Sequence, residues 1–168
     1  MTADTDAFSI AAEILYREAL YLDERRWDEW LALYDSEVEF WVPAWKSEGE
    51  PTDDPTREVS LLYISTHLEL EERVARVRSG KSIASNPLPR TAHAVTNILV
   101  EPGASRDELA VRSIATTHIY NVKRREQYLV FARCAYGFVR GDGVWRIRRK
   151  KALLLNDYIP TMLDFYTI

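Results

Sequence analysis

The second half of the chain contains four long stretches with the composition of β-strands, separated by short connections. They run over about residues 90–100, 109–122, 127–140 and 144–155. Gly141-Asp142-Gly143 joins the last two and is a strong hairpin signal. Strands with such short connections pair antiparallel, because parallel strands need long crossovers. The pattern therefore predicts a long antiparallel meander and excludes a doubly wound α/β fold.

The first half of the chain predicts helices. Apolar residues recur at helical spacing over residues 7–22 and again over residues 27–34. Thr66-His67-Leu68-Glu69 has the capping-box pattern that opens a third helix. Residues 38–42 alternate like a strand, and residues 59–65 form a second short apolar strand. The predicted buried face of the first helix consists of Ala7, Phe8, Ala11, Ile14, Leu15, Ala19 and Leu22.

This order of elements defines the expected fold class. Helices come first and long strands follow in a run, which is typical of an α+β fold. N-terminal helices packed on a long curved sheet would form a cone with a pocket. The length of 168 residues favours a single domain over residues 1–168, with residues 1–8 as a flexible N-terminus. No apolar run is long enough to span a membrane, and the N-terminus lacks a signal-peptide pattern, so we expect a cytoplasmic protein.

Charge is distributed unevenly along the chain. The net charge of -4 argues against a nucleic-acid-binding protein. Residues 1–58 carry 16 acidic and 5 basic side chains, whereas residues 123–151 carry 10 basic and 2 acidic ones. The two segments could pair within one fold or between neighbouring subunits, and the sequence leaves both open. Trp-rich strand edges and an apolar tail that reaches the last residue favour an obligate oligomer.

Candidate catalytic residues are few. The sequence has no phosphate-binding glycine loop, no G-x-S-x-G motif and no H-E-x-x-H motif. If Val100 pairs with Leu109, then His93 and His118 lie on one face of the sheet. With a nearby carboxylate, the two histidines could form an acid–base pair in the cone; hydrogen-bonded packing is the other interpretation. The residues of this candidate site are His93, His118, Asp35 and Glu18.

A series of short motifs runs from about residue 10 to the last residue. The motifs are Glu18-Ala19-x-x-Leu22-Asp23, Trp27-Asp28-Glu29-Trp30-Leu31-x-Leu33-Tyr34, Phe40-Trp41-x-Pro43-Ala44-Trp45, Asp54-Pro55-x-Arg57-Glu58-x-Ser60-Leu61, Glu72-Arg73-Val74-x-Arg76, Pro89-Arg90-Thr91 followed by Asn97, Gly143-x-Trp145-Arg146-Ile147, and Leu163-Asp164-Phe165-Tyr166. In this order and spacing, the chain resembles the small (β) subunit of Rieske non-haem iron aromatic-ring-hydroxylating dioxygenases. Leu155 is followed by Asn156-Asp157, which favours the benzoate/anthranilate-like branch.

The resemblance implies a cone-shaped α+β fold of the nuclear-transport-factor-2-like (NTF2-like) or ketosteroid-isomerase-like type. It implies a β trimer within an α3β3 hexamer. The α subunit would hold the Rieske [2Fe-2S] cluster and a mononuclear Fe(II), and a reductase would deliver electrons from NADH. The β subunit would hold no metal, no cofactor and no catalytic residue. Its single cysteine agrees with this, because a Rieske centre needs two Cys and two His.

The function implied by the resemblance is that of a structural subunit. It would assemble and stabilise the iron-bearing α subunits of a dioxygenase for a benzoate-like aromatic acid. Arginines beside loops can form bidentate pairs with a neighbouring subunit, and tryptophans at strand ends offer large apolar area. The candidate interface residues are Trp41, Trp45, Arg57, Arg76, Arg90 and Trp145. The alternative is a stand-alone NTF2-like isomerase, dehydratase or small-ligand-binding protein that uses the cone pocket.

Overall fold

The computed structural model describes residues 2–81, 86–160 and 162–168, with side chains from residue 6 onward. The helices are α1 (Thr2–Asp23), α2 (Trp27–Ala32) and α3 (His67–Arg78). The strands are β1 (Tyr34–Pro43), β2 (Ser60–Ile64), β3 (Arg90–Pro102), β4 (Glu108–Asn121), β5 (Glu126–Gly141) and β6 (Val144–Leu154), and a 3-10 turn covers Phe165–Thr167. The elements follow each other in the predicted order.

The six strands form one mixed sheet in the order β2-β1-β6-β5-β4-β3. The run from β3 to β6 is the predicted antiparallel meander, and β2 pairs antiparallel with β1. Only β1 and β6 run parallel among the described strand pairs. The β5–β6 hairpin turns at Asp142 and Gly143, whose φ angles of 52° and 78° belong to the left-handed region. Glycine adopts that region without strain, which explains the strength of this turn signal.

The predicted cap of α3 is present with one difference. The side chain of Thr66 accepts a hydrogen bond from the main-chain N–H of Glu69 at 3.3 Å. The Glu69 carboxylate accepts in return from the N–H of Ser65 at 2.7 Å, one residue before the capping residue. The cap fixes the start of α3, so that Leu70, Val74 and Val77 are buried.

The helix α1 begins at Thr2, and Met1 lies outside the described residues; the flexibility of residues 1–8 stays a prediction. One side chain near this end departs from expectation. Phe8 was expected on the buried face but is half exposed. At this end of α1, Ala7 and Ile10 turn toward the β3–β4 hairpin, with which they line a groove, and this leaves Phe8 toward solvent.

One face of the sheet, here called the inner face, packs against the helices and is filled. The expected pocket is occupied by side chains, including those of the last residues of the chain. Phe165, Tyr166, Thr167 and Ile168 are all buried and belong to the same core as Trp30 of α2. Asp164 caps the 3-10 turn, and Arg73 of α3 holds Asp164 in an ion pair at 3.2 Å. The apolar tail therefore docks on the core of its own chain.

Candidate functional site

The two histidines of the candidate acid–base pair lie on opposite faces of the sheet. His93 pairs with Thr117, whereas His118 pairs with Ala92. The predicted register is wrong, since Val100 pairs with Val111 and not with Leu109. The pairing shifts once more between Thr96 and Leu99, next to Asn97 at a φ of 55°. A shift of one residue moves every side chain of a strand to the other face. The sheet therefore separates the two rings.

His93 points to the inner face and forms a dyad with Asp23, the last residue of α1. Its ring Nδ1 lies 2.6 Å from the Asp23 carboxylate, which also accepts from the His93 main-chain N–H at 2.9 Å. The hydroxyl of Thr91 donates to the same carboxylate at 2.8 Å. Burial alone would raise the pKa of Asp23, but these hydrogen bonds outweigh it and lower that pKa below its usual range. The contacts tie the end of α1 to the edge strand β3.

The second ring nitrogen of His93 has no partner among the described residues. The side chain is only 5% exposed, and Nε2 is buried without a hydrogen bond. In the neutral tautomer that donates from Nδ1 to Asp23, Nε2 is an acceptor. A general base needs such an acceptor, but this one is buried away from solvent.

We expect His93→Ala to lower the free energy of unfolding by roughly 1–2 kcal/mol, because it removes a packed ring and its hydrogen bond to Asp23. Urea denaturation at neutral pH measures the change. His118→Ala is the matched control, since His118 is exposed on the opposite face, and it should change stability by less than about 0.5 kcal/mol. Equal losses in both variants would contradict this assignment.

Glu18 lies at the centre of a buried polar cluster on the inner face. Its carboxylate accepts from the Lys150 ammonium at 2.7 Å, from the Tyr136 hydroxyl at 3.4 Å and, in a short bond, from the Tyr34 hydroxyl. Lys150 also donates to the main-chain oxygen of Ile168 at 3.1 Å. The cluster joins α1, β1, β5, β6 and the chain end. The carboxylate of Glu18 is therefore paired within the chain, with Lys150 as its cation.

The titration behaviour of the cluster agrees with a closed network. Burial, strengthened by the Glu18 carboxylate, raises the pKa of Tyr34 well above its usual value. Burial, together with Cys134 and Glu18, does the same to the pKa of Tyr136. Both phenols therefore remain protonated and donate. Since the partners of Glu18 belong to the chain itself, the carboxylate is held in structural contacts.

The thiol of Cys134 should be inert in the folded chain. Burial raises its pKa to about 11, with Glu18 adding to the increase and Lys150 opposing it. Roughly one thiol in a thousand is then ionised at a pH of about 8, and the thiolate is the reactive form. We expect a thiol reagent such as dithionitrobenzoate to label Cys134 only in denaturant. Rapid labelling of the native chain would contradict the burial of this side chain.

Asp35, the remaining residue of the candidate site, lies on β1 and pairs with Arg148 of β6 at 3.1 Å. Arg149 pairs likewise with Glu39 at 3.4 Å. Together with Lys150–Glu18, these contacts bring the basic C-terminal segment onto the acidic N-terminal half. Part of the charge segregation is thus resolved within one fold. The four candidate residues do not form one site.

Two of the six candidate interface residues use their indole N–H groups within the chain. Trp41 is buried, and its Nε1 donates to the Ser60 hydroxyl at 2.8 Å. Trp45 is half-buried, and its Nε1 donates to the main-chain oxygen of Leu154 at 2.8 Å. Each ring therefore offers a partner only part of its area.

The other four candidates are accessible to a second protein. The side chain of Arg57 is 85% exposed, with Asp54 at 3.7 Å. Arg76 and Arg90 are exposed, and the Arg90 guanidinium lies 5.9 Å from the centre of the Tyr120 ring. Trp145 is half-buried at the start of β6. These four side chains make no described contacts with one another, so they do not form one continuous surface.

The donor groups of the chain do not fit an iron–sulfur cluster. In the described parts of the chain, no three His, Cys, Asp or Glu side chains are grouped to hold a metal ion. A Rieske cluster requires two Cys and two His, and the sequence contains Cys134 alone, which is buried. We therefore derive no reaction step on such a cluster in this chain.

No helix in the described residues is both long and apolar enough to cross a membrane.

Comparison with known proteins identifies relatives across almost the whole chain. The family model for the ring hydroxylating β subunit matches residues 17–161. The chain is 35% identical over 168 residues, covering 100% of both chains, to the 2-halobenzoate 1,2-dioxygenase small subunit of Burkholderia cepacia. It is 34% identical over 165 residues to the benzoate 1,2-dioxygenase subunit β of Acinetobacter baylyi, covering 98% of this chain and 96% of the relative.

A solved structure shows the same similarity. The β subunit of the benzoate 1,2-dioxygenase of Burkholderia mallei matches with a TM-score of 0.76 and 31% identity, over 94% of this chain and 95% of that one. This match confirms the predicted cone-shaped α+β fold class.

Proposed function

This chain belongs to the ring-hydroxylating β-subunit family, and from that premise we propose that it is the structural, non-catalytic subunit of a dioxygenase for a benzoate-like aromatic acid. Its role is to assemble and stabilise α subunits, as one domain over residues 1–168. The relatives named above are small subunits of 2-halobenzoate and benzoate 1,2-dioxygenases, which supports this class of substrate.

The closed interior of the fold is the observation that carries the proposal. The inner face, where a catalytic member of such a fold would need room for substrate, is filled by Trp30, Phe165 and Ile168. The polar groups there are bonded to one another around Glu18 and Lys150. A catalytic pair must reach a reacting atom, and this cluster reaches only its own chain.

The wider assembly belongs to the same proposal. We propose an α3β3 hexamer in which the β chains form a trimer. The Rieske cluster and the mononuclear iron reside in the α subunit, where they supply electron transfer and oxygen activation. A separate reductase delivers electrons from NADH, which places the complex in the cytoplasm.

The outer face of the sheet supports a role in assembly. Outward positions of an antiparallel sheet that faces water are normally polar. Here about half of those on β3, β4, β5 and β6 are small or apolar, and these positions are suited to burial against another subunit. The outward residues that show this are Ala92, Ala94, Leu99, Ala110, Ile114, Leu129, Phe131, Ala135, Gly137, Leu153 and Leu155. The six candidate interface residues, Trp41, Trp45, Arg57, Arg76, Arg90 and Trp145, remain part of this proposal.

Co-expression with the α subunit tests the proposal. Leu129→Asp places a charge on the outer face, and we expect it to weaken association by on the order of 2–4 kcal/mol and to reduce the α subunit recovered with the tagged chain. Leu20→Asp is the matched control: Leu20 has similar exposure but lies on α1, and its variant should assemble normally. If wild type recovers no α subunit, the proposed function fails. If both variants assemble like wild type, the outer face is not the interface.

The alternative function rests on one observation, the buried Nε2 of His93 beside Asp23. An isomerase or dehydratase would need that nitrogen to reach a substrate. The test is activity of the purified chain alone on hydroxylated or ketonic ring compounds: turnover lost in His93→Gln would favour this alternative.

A further inference from the structure

Five basic residues lie at one end of the sheet, where β3 begins and β4 turns into β5. We call this region the basic corner. All five side chains are exposed. Its members are Arg25, Arg90, Lys123, Arg124 and Arg125.

The backbone fixes these residues close to one another. Arg90 at the start of β3 pairs with Tyr120 near the end of β4. The turn that follows is organised by Asn121, whose side chain accepts from the N–H groups of Lys123 and Arg124 at 3.1 and 3.0 Å. Its main-chain oxygen accepts from the N–H of the third turn residue, Arg125, at 2.8 Å. The three cations are thus held in an ordered turn beside Arg90.

Arg25 completes the corner from the helical side. It follows the end of α1 with a φ of 58°, and its guanidinium lies at hydrogen-bonding distance from two main-chain oxygens, those of Leu88 and Pro89. These two residues directly precede Arg90. The link joins the α1–α2 connection to the start of β3.

No member of the basic corner forms an ion pair with a described residue, whereas some cations of the C-terminal half are paired. Arg148, Arg149 and Lys150 each have a carboxylate partner. The acids near the corner are Glu24, which is held by Arg26; Asp23, which is held by His93; and the exposed Glu126 at the start of β5. The corner therefore carries a large local excess of positive charge.

An apolar groove of about 360 Å³ adjoins the basic corner. Arg90 forms one end of it, and the exposed His118 lies along it. The remaining lining includes Tyr120 and Leu129, which offer aromatic and aliphatic surface. A groove of this kind can receive an apolar side chain whose neighbours along the chain are charged.

We propose that the basic corner and its groove dock an acidic segment of a partner protein. Carboxylates of that segment would pair with the arginines, whose planar guanidinium groups suit bidentate contacts. An apolar side chain between the acids would enter the groove. The inference goes beyond the proposed assembly with the α subunit, because it assigns the chemistry of the segment that covers this corner. Arg90, Ala92 and Leu129 belong to both the groove and the proposed outer-face interface.

Charge distribution favours a protein segment over a long polyanion. The first 58 residues carry 16 acidic side chains, which would repel a nucleic acid that extends beyond the corner. The groove also offers apolar contacts, which add affinity for an amphipathic peptide. A short acidic segment satisfies both features at once.

Fluorescence anisotropy with a labelled peptide, Asp-Glu-Phe-Asp-Glu-Leu-Asp-Glu, tests the proposal on the full chain. We expect saturable binding that weakens as NaCl rises from about 50 to about 300 mM, because exposed charge pairs are screened by salt. Arg90→Gln/Arg124→Gln/Arg125→Gln should weaken binding about tenfold, as the combined loss of several modest ion pairs. A peptide with Ser in place of Phe and Leu should also bind more weakly, since it leaves the groove empty.

The matched control is Lys81→Gln/Arg106→Gln/Arg140→Gln, which makes the same charge change at exposed positions outside both the corner and the six candidate interface residues. It should bind the peptide like wild type. Three outcomes would overturn the proposal: no saturable binding, an equal loss in both triple variants, or tighter binding to a DNA duplex or to phosphatidylglycerol vesicles than to the peptide. Recovery of the α subunit is scored separately, so that failure of assembly is distinguished from failure of the basic corner.

Discussion

Lys150→Met is expected to destabilise the chain by about 3–5 kcal/mol, because it leaves the Glu18 carboxylate buried without a cation. Glu18 and Lys150 are each 3% exposed, so water does not solvate the remaining charge. Lys150 also lies 4.7 Å from the centre of the Phe40 ring, and this contact is lost as well. Chemical denaturation followed by tryptophan fluorescence measures the difference.

The double variant Glu18→Gln/Lys150→Met is the control for the origin of this loss. Replacing both members of a buried ion pair removes the unpaired charge, which is the main source of the penalty. The amide of Gln can still accept from the hydroxyls of Tyr34 and Tyr136. We expect the double variant to recover a large part of the lost stability. Additive losses from the two substitutions would contradict the pairing.

Phe165→Ala is expected to cost about 3–5 kcal/mol, the usual range for removing a buried aromatic ring. Phe165 is fully buried, and its ring centre lies 4.7 Å from that of Trp30, in a stacked arrangement. It also meets Trp27 edge-on at 5.5 Å. The loss, measured by the same denaturation experiment, would show that the last residues are part of the core.

Tyr158→Ala is the matched control in the same C-terminal segment. Tyr158 is 80% exposed, so its removal should change stability by less than about 0.5 kcal/mol. A nearly neutral Phe165→Ala would mean that the chain end does not fill the inner face. The account of a closed interior would then lose its main support.

The strands were predictable from sequence, whereas their register was not. Alternation and the Gly141-Asp142-Gly143 turn locate β5 and β6 because each signal is local. The register of β3 on β4 depends on an irregularity at Asn97, which takes a left-handed φ that asparagine tolerates but that a single Asn in a strand does not predict. No local pattern marks that position. The face of His93 relative to His118 therefore became clear only from the structure.

Part of the candidate site could have been predicted from the sequence. Period-two alternation places Lys150 on the same side of β6 as Ala152 and Leu154, which are buried, so an inward cation could have been predicted from the basic run. The choice of Glu18 as its partner depends on how α1 crosses the sheet, a long-range relation. Asp23 was missed as the partner of His93 for the same reason.

The surface on which the apolar tail packs could be identified only from the structure. The apolar residues among 163–168 indicate that this segment is buried. Burial against the core of the same chain and burial against a partner protein require the same apolar pattern. The contacts of Phe165 with Trp27 and Trp30 show that the segment packs against the core of its own chain. Sequence could therefore predict that the tail docks, but not where.

The central claim is that this chain supports the dioxygenase without taking part in the reaction. Oxygen uptake with benzoate, divided by the amount of assembled complex, tests it most directly when His93→Ala is reconstituted with the α subunit and the reductase. We predict turnover within about twofold of wild type per assembled complex, because in the proposed function His93 has only structural contacts. A complex that assembles normally yet loses about a hundredfold in turnover would contradict the claim and assign catalysis to the inner face of this chain.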